Sequence, residues 1–599
     1  MQADGTDVLL EDLASRTCWR LDESTRFVAK DVPRFDHAAY AGAAVALTGK
    51  GTATKLGEHT IRSVHHTPAG TLTLRFVMEQ DRLRVIAEAD GTHGVTSLAL
   101  PGTFRPDDGG FLSVVPSCQG VLHTGKGPAF YKPLSAKGHH DGFTMSMFGQ
   151  LGDRAALVVI AESDADAVLH WEKTSAGEVR LMWLQHPSMG TLSYDREVVI
   201  LPSENSVTSV CKCYRHYVIE QGRFRSWEEK LFGAALVFLG YFQDHDCDYA
   251  ASLRRLRQMG IDKEVVYPMW CRTTCDTKTV MNADSADTRT HAALAEQLGY
   301  LPGSFIYIVD GQEGSGDLML QRDGQPYLAW QINEMKWHNL SADSAAAWAQ
   351  RFLDHEHSGL QFVHFDVLAS RQLAEDFHPA HRADARADRE GRRRILEYAG
   401  SKGLDVSSEG FFDRLTPYYD LGNSKYPLAL GGDEYCVVPM TMLVYHDSAF
   451  HTWWEVDNYN NPHHRSQGGR GFWERLPFGG GFARQQACMD ALMGTPPDIF
   501  PIGRQYCFVP ENHPQVYFYR FTLDDPSVQR AIASAKPVMA PNRRIGRREL
   551  VEHRLHRADG ALQETVFADG TRVVVNFANV ALEAPGVGLL AAESWKTFE

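Results

Sequence analysis

No stretch of this chain reaches the ~18 consecutive apolar residues that crossing a bilayer requires. Cysteine is sparse, 10 in 599 residues, too thin for a disulfide scaffold. The only close pairs are Cys211 with Cys213 and Cys271 with Cys275. Neither has the matching half of a zinc site, so reduced, mostly buried thiols are expected. Positive charge is the minority sign: Lys+Arg is 60 against 75 Asp+Glu, a formal net charge of -15. That argues against nucleic acid or an acidic membrane face as a partner. The opening MQADGTDVLLEDL has neither a basic segment nor an apolar one of leader type. The expectation is a soluble cytoplasmic protein, or a secreted one whose leader has been removed. No fixed-period repeat and no low-complexity segment stands out.

What the chain does contain is ordinary globular composition. Hydrophobic residues make up 43% and charged residues 23%, which excludes a mainly disordered chain. The length implies roughly two to four domains. Up to about residue 225 short apolar or alternating runs recur, such as TLTLRFVME (71–79), AALVVIAES (155–163) and REVVILP (196–202), punctuated by Gly, Asp and Pro. This reads as a large β-sandwich. From about 231 apolar strand-like runs alternate with helical stretches: GAALVFLGYFQ, KEVVYPMW, GSFIYIVDG, LQFVHFDV, LDVSSEG and VVPMTMLVYHD are the strand candidates. Nearly continuous apolar strands separated by helices over about 300 residues point to a (β/α)8 TIM-type barrel. A doubly wound sheet would want a glycine-rich turn after its first strand, and LGYFQDHDC offers none. The tail returns to β, with Asp559-Gly560 and Asp569-Gly570 turns between alternating runs. The expected layout is an N-terminal β-sandwich (1–228), a central barrel (229–545) and a small C-terminal β domain (546–599).

Barrel active sites lie at the C-terminal ends of the strands. Four strand candidates end in an acid: Asp310, Asp366, Glu409 and Asp447. A charge on a buried strand is costly unless paired or in use. Asp366 and Glu409 fall on consecutive strands, and neighbouring strands run ~4.8 Å apart. Their carboxyl groups could therefore approach the ~5–5.5 Å separation of retaining glycosidases. Asp366 directly follows a rigid apolar strand, which suits a nucleophile. Glu409, one methylene longer between Ser408 and Gly410, suits an acid/base reaching the leaving oxygen.

FDVLAS (365–370) followed by EDFHPAHRADARADREGRRRILEYAGSKGLDVSSEG (375–410) resembles the glycoside hydrolases related to families 101 and 129, endo-α-N-acetylgalactosaminidases and α-N-acetylgalactosaminidases. Pro439 with LVYHDS (443–448), ALMGTPPDI (491–499) and ETVFADGTRVVVNFA (564–578) extend the resemblance, which covers roughly 230–580. In the N-terminal half it is one of architecture. The resemblance implies a retaining hydrolase of an α-linked galactose-type sugar, above all an α-N-acetylgalactosaminide, with Asp366 as nucleophile and Glu409 as acid/base.

Further candidates surround the pair. His378, before Pro379 and near His381, could shape the pocket or be a loop turn. In HTWWEVDNYNNPHHR (451–465) Trp453 and Trp454 offer aromatic faces, and Asp457 and Asn458 offer sugar hydrogen bonds. A packed loop is the plainer reading. His463 and His464 are adjacent and cannot readily face one ion. Asp310, Gln312 and Glu313 could bind substrate or a Ca²⁺, though no Asp-x-Asp-x-Asp-Gly loop accompanies them. The six arginines between 382 and 394, against three acids, read as a solvated helix face. The expectation is thus a carbohydrate or glycan substrate, no obligatory cofactor and no dedicated metal ligands. The alternatives are an α-galactosidase, a hydrolase of another α-hexoside, a non-catalytic glycan-binding protein and, more remotely, a polysaccharide lyase.

Overall fold

In the computed structural model the described residues are 2–3, 8–22, 25–31, 34, 44–47, 51–89, 94–107, 109–138, 142–226, 236–239, 248–261, 265–268, 272–273, 286–312, 317–332, 335–356, 359–425, 434–453, 482–508 and 516–599. The N-terminal part contains two facing antiparallel sheets. The larger has strands Val121–His123, Leu112–Val115, Met147–Leu151, Ala155–Ala161, Arg196–Glu204, Arg82–Glu88, Gly70–Glu79, Thr60–Thr67 and Thr52–Lys55 in that spatial order. The smaller contains Phe130–Ser135, Ala167–Lys173, Val179–Gln185 and Ser97–Ala99. Trp183 of the smaller sheet is T-shaped to Phe143 at 5.1 Å and lies 5.8 Å from Phe148 of the larger one, so the two inner faces share one core. The region is not all β. VTSVCKCYRHYVIE forms helix α1 (Val207–Glu220), capped by Ser206, whose side chain accepts from Ser209 N–H. Its Cys211 is a buried, unbonded thiol pushed up to about 12 by burial.

Eight parallel strands follow: β1 (Leu236–Leu239), β2 (Val265–Pro268), β3 (Leu301–Tyr307), β4 (Phe362–Phe365), β5 (Asp405–Glu409), β6 (Leu421–Lys425), β7 (Phe450–Trp453) and β8 (Asp498–Phe508). Each pairs with its chain neighbour from β1 to β7, and β8 pairs with β1. That cyclic order is the order of a barrel; among the described residues no ladder joins β7 to β8. Helices α2 (Tyr249–Gln258), α3 (Ala286–Gln297), α4 (Ala342–Glu356) and α5 (Ala385–Ser401) fill the first crossovers. A single 3-10 segment, Asp413–Tyr418, links β5 to β6. The segment VVPMTMLVYHD is not the barrel strand expected from its apolar run. Tyr435–Val437 joins the edge of the large N-terminal sheet, and Met440–Tyr445 is helix α6. Helices α7 (Phe482–Met493) and α8 (Pro526–Ile545) flank β8. The tail forms an antiparallel sheet of Leu550–Leu555, Leu562–Phe567, Arg572–Asn576 and Ser594–Phe598. Its two Asp-Gly turns have Gly560 at φ 73° and Gly570 at φ 87°, a conformation that favours glycine.

The three parts are tied together by α1. Lys212 Nζ donates to Leu443 O (2.8 Å), Leu550 O (2.6 Å) and Glu549 (2.6 Å). A second tie is a buried carboxyl. Asp413 receives the Tyr214 hydroxyl and, at 3.1 Å, the Ser146 N–H. Burial nevertheless pushes it up to about 7, against the pull of Tyr214. Unfolded, the same group titrates near ~3.9. The folded chain then binds the proton more tightly, so stability falls as pH rises from about 4 through about 7, by at most ~4 kcal/mol. Urea midpoints measured near pH 5 and pH 8 should show this slope in the native chain and a flatter one in Asp413→Asn. Equal slopes in the two would refute the assignment.

Candidate active site

Asp366 follows β4 and Glu409 ends β5. The β4–β5 ladder runs Phe362↔Asp405 through Phe365↔Ser408, so its next rung brings these two residues side by side at the C-terminal rim. Their carboxyl groups are close enough to act on each other electrostatically. Glu409 is buried and Asp366 partly buried. Desolvation and the neighbouring Glu409 carboxylate raise Asp366 well above the usual carboxylate range. A like charge this close disfavours ionisation of Asp366.

The turn after β4 is stitched to the end of β5. Val367 N–H donates to Glu409 Oε2 at 3.1 Å, and Ala369 N–H to Ser408 Oγ at 2.9 Å. Val367 has φ 49°, unfavourable for a β-branched residue and of the kind that surrounding structure must enforce. Gly410 has φ 89°, and a Cβ there would lie 2.5 Å from Ser370 N, so the backbones can meet only because this residue is glycine. The sandwich reaches the same rim: Gly138 N–H donates to Ala369 O, and Phe411 N–H to Gly138 O, each at 2.9 Å. One layer below, His364 Nδ1 meets Ser407 Oγ at 2.7 Å and its ring stacks on Phe305 at 5.0 Å. Burial pushes His364 down to about 3, which keeps a neutral imidazole beneath the acids.

The other expected site residues are dispersed. Asp310 is not the end of a barrel strand. It begins a short strand beyond β3, fully buried, where its carboxyl takes the Tyr307 hydroxyl and an ion pair with Arg371. It therefore holds scaffold together and presents no open edge. Gln312 ends the same strand, half-buried opposite Trp337. His378 lies in the loop before α5, stacked on His381 at 4.0 Å, with its Nδ1 accepting from Ala380 N–H; His381 pairs with Asp376. That is a packed turn. Asp447 follows helix α6 and makes a bidentate pair with Arg215 of α1, at 2.7 and 2.8 Å. It serves the seam between sandwich and barrel. Trp453 ends β7 but is buried, its indole N–H on Asp490 at 2.8 Å and its ring covered by Lys425. It has no face left for a sugar. Trp454, Asp457, Asn458, Glu313, His463 and His464 lie outside the described residues. Among the described residues no cluster of three or more His, Cys, Asp or Glu could hold a metal. The arginine-rich helix α5 is internally paired, Arg392 with Asp388 and Arg393 with Glu390 and Glu397, while Arg389 reaches Asp164 of the sandwich.

Sequence reasoning missed the row's continuation. Asn423 of β6 is the rung partner of Glu409, and Thr452 of β7 is the rung partner of Asn423. LGNSK has no apolar run, so β6 carries no strand signal of its own; only its place after an acid-ended strand could have drawn attention to it.

No family model matches the sequence, and no curated protein matches it. Solved structures do. The α-N-acetylgalactosaminidase NagBb from Bifidobacterium bifidum, in complex with GalNAc, superposes with a TM-score of 0.74 over 99% of each chain at 18% identity. A GH31 sulfoquinovosidase from E. rectale gives 0.58 at 8% identity, covering 100% of this chain and 95% of the other. The GH36 α-galactosidase AgaA from Geobacillus stearothermophilus gives 0.53 at 12% identity, covering 99% and 86%. Along its whole length the chain is thus similar in fold to the α-N-acetylgalactosaminidase NagBb.

Proposed function

We propose that this protein is a retaining glycosidase that cleaves an α-linked galactose-type sugar, with an α-N-acetylgalactosaminide as preferred substrate. The carrying observation is the placement of Asp366 and Glu409 side by side at adjacent strand ends. Inverting enzymes hold their carboxyl groups ~6.5–9.5 Å apart and retaining ones ~5–5.5 Å, and acids on adjacent strands of one ladder, ~4.8 Å apart, favour the shorter spacing. Asp366 attacks the anomeric carbon as the bond to the leaving oxygen breaks, and Glu409 gives that oxygen its proton. Glu409 then takes a proton from water, whose oxygen displaces Asp366 from the sugar. For the first step the nucleophile must be ionised and the acid must carry its proton. Neither step calls on a cofactor.

The choice of N-acetylgalactosamine leans on the fold likeness to NagBb, whose complexes hold GalNAc and Gal-NHAc-DNJ. The α-galactosidase reading rests on the weaker likeness to AgaA. A non-catalytic glycan binder would have little use for two acids forced together at a buried rim. Aryl α-N-acetylgalactosaminide, α-galactoside and α-glucoside, followed by proton NMR, separate these readings. The expected result is cleavage of the first substrate with the α anomer of the free sugar appearing before mutarotation. A β anomer appearing first would overturn retention; no cleavage of any of the three would overturn the hydrolase reading.

A further inference from the structure

We infer that Asn423, with Thr452 beside it, is a specificity-determining residue that binds the substituent on carbon 2 of the sugar. The inference rests on the glycosidase reading and deepens it.

The ladders of β4 to β7 set Asp366, Glu409, Asn423 and Thr452 in one row, and residues paired across a parallel ladder share a face. The first two are the acid pair. The next two are 1% and 0% exposed. Among the described residues neither atom of the Asn423 carboxamide, nor the Thr452 hydroxyl, has a hydrogen-bond partner. On the opposite face of the same strands the polar groups are matched: Ser424 Oγ meets His451 Nε2 and accepts from Phe411 N–H, each at 3.0 Å. Buried groups elsewhere also lack partners, Ser97 and Ser113 of the sandwich among them. What singles out Asn423 is the row it stands in, one strand spacing from a carboxyl that reaches the anomeric centre. A buried amide with no partner is costly, and a ligand seated in that row removes the cost.

The chemistry narrows the ligand group. Asn423 and Thr452 are buried and stand level with the acid pair, on the face they share with it, so they meet the sugar held by that pair rather than the leaving group. Two parts of a sugar flank the anomeric carbon. The ring oxygen only accepts. The carbon-2 substituent, hydroxyl or acylamino, both donates and accepts, as a carboxamide and a hydroxyl require.

The test uses three aryl α-glycosides with one leaving group: the 2-acetamido-2-deoxygalactoside, the galactoside and the 2-deoxygalactoside. Asn423→Ala should lower kcat/KM on the first about a hundredfold and leave the third nearly unchanged. The preference for a carbon-2 substituent then collapses. Thr452→Val, which keeps the shape of the site, should shift the same ratio by several-fold and carries the test if the alanine variant does not fold. Equal slowing on all three substrates would mark a role in shape alone and overturn the inference, as would an unchanged ratio. Failure of the underlying reading is read on the native enzyme alone: if it cleaves none of the three, the glycosidase assignment falls and the inference with it.

Discussion

Replacing Asp366 by glycine should lower kcat/KM on an aryl α-N-acetylgalactosaminide by about 10⁴-fold or more, and azide should restore turnover with a β-glycosyl azide as product. The small anion fills the space of the lost carboxylate and attacks the anomeric carbon from the same side, so one inversion remains where there were two. Glu409→Ala behaves differently. With a leaving group that needs no proton, Asp366 still forms the glycosyl-enzyme, and azide then releases an α-glycosyl azide. The stereochemistry of the azide assigns each role separately. A β-azide from Glu409→Ala would exchange the two roles, and full activity in either variant would remove the pair from the mechanism. The same site predicts a stability effect of opposite sign. Asp366 titrates above its unfolded value, so ionising it costs the folded state, and stability falls as pH rises past the unfolded value. Asp366→Asn cannot ionise. It should have a higher thermal midpoint than the native chain at pH 8, and the gap should close towards pH 4. An acid that weakens the fold it sits in is what the proposed role of Asp366 predicts as a stability–activity trade-off.

The barrel was legible where strands are buried on both faces, because burial demands unbroken apolar runs. LQFVHFD and LDVSSE declare both their strand and the acid at its end. β6 and β7 are buried too, but LGNSK and FHTW spend their positions on polar groups matched by neighbours: Ser424 with His451, and His451 in turn with Thr441 of α6. Their strand character comes from the ladder they join. VVPMTMLVYHD misled for the reverse reason. Its apolar residues are all buried, but between α1, the large sheet and the tail, and an apolar run of that length does not reveal its period. Acids at strand ends carried the same ambiguity. Asp310 and Asp447 satisfy the pattern in sequence, yet each is neutralised by an arginine, Arg371 and Arg215, that sequence spacing does not connect to them. What sets Asp366 and Glu409 apart is that their neighbour is another acid.

The buried pair of Lys425 and Asp490 should prove the most stability-sensitive feature near the site. Both side chains are fully enclosed. The Lys425 ammonium contacts Asp490, donates to Thr495 Oγ1 at 2.8 Å and lies over the Trp453 ring at 4.8 Å. Asp490 also accepts from Trp453 Nε1 and Thr495 Oγ1, each at 2.8 Å. One carboxylate on α7 thereby fastens the ends of β6 and β7, the strands that carry Asn423 and Thr452. Asp490→Ala leaves an ammonium and an indole N–H buried without their acceptor, a loss of about 3–5 kcal/mol. Burial already lowers Lys425 below its usual range; without Asp490 it falls further. A lysine depressed in the folded state makes stability rise with pH, so the deficit of Asp490→Ala should shrink from pH 7 towards pH 10 as the amine releases its proton. Lys425→Met combined with Asp490→Leu removes both charges at similar volume and should recover most of the loss. Urea midpoints of the single and double variants across that pH range test the chain of reasoning. A single variant within about 1 kcal/mol of the native chain, or a deficit that grows with pH, would mean that the charge is already reached by solvent and that the β6–β7 edge is held by its ladder alone.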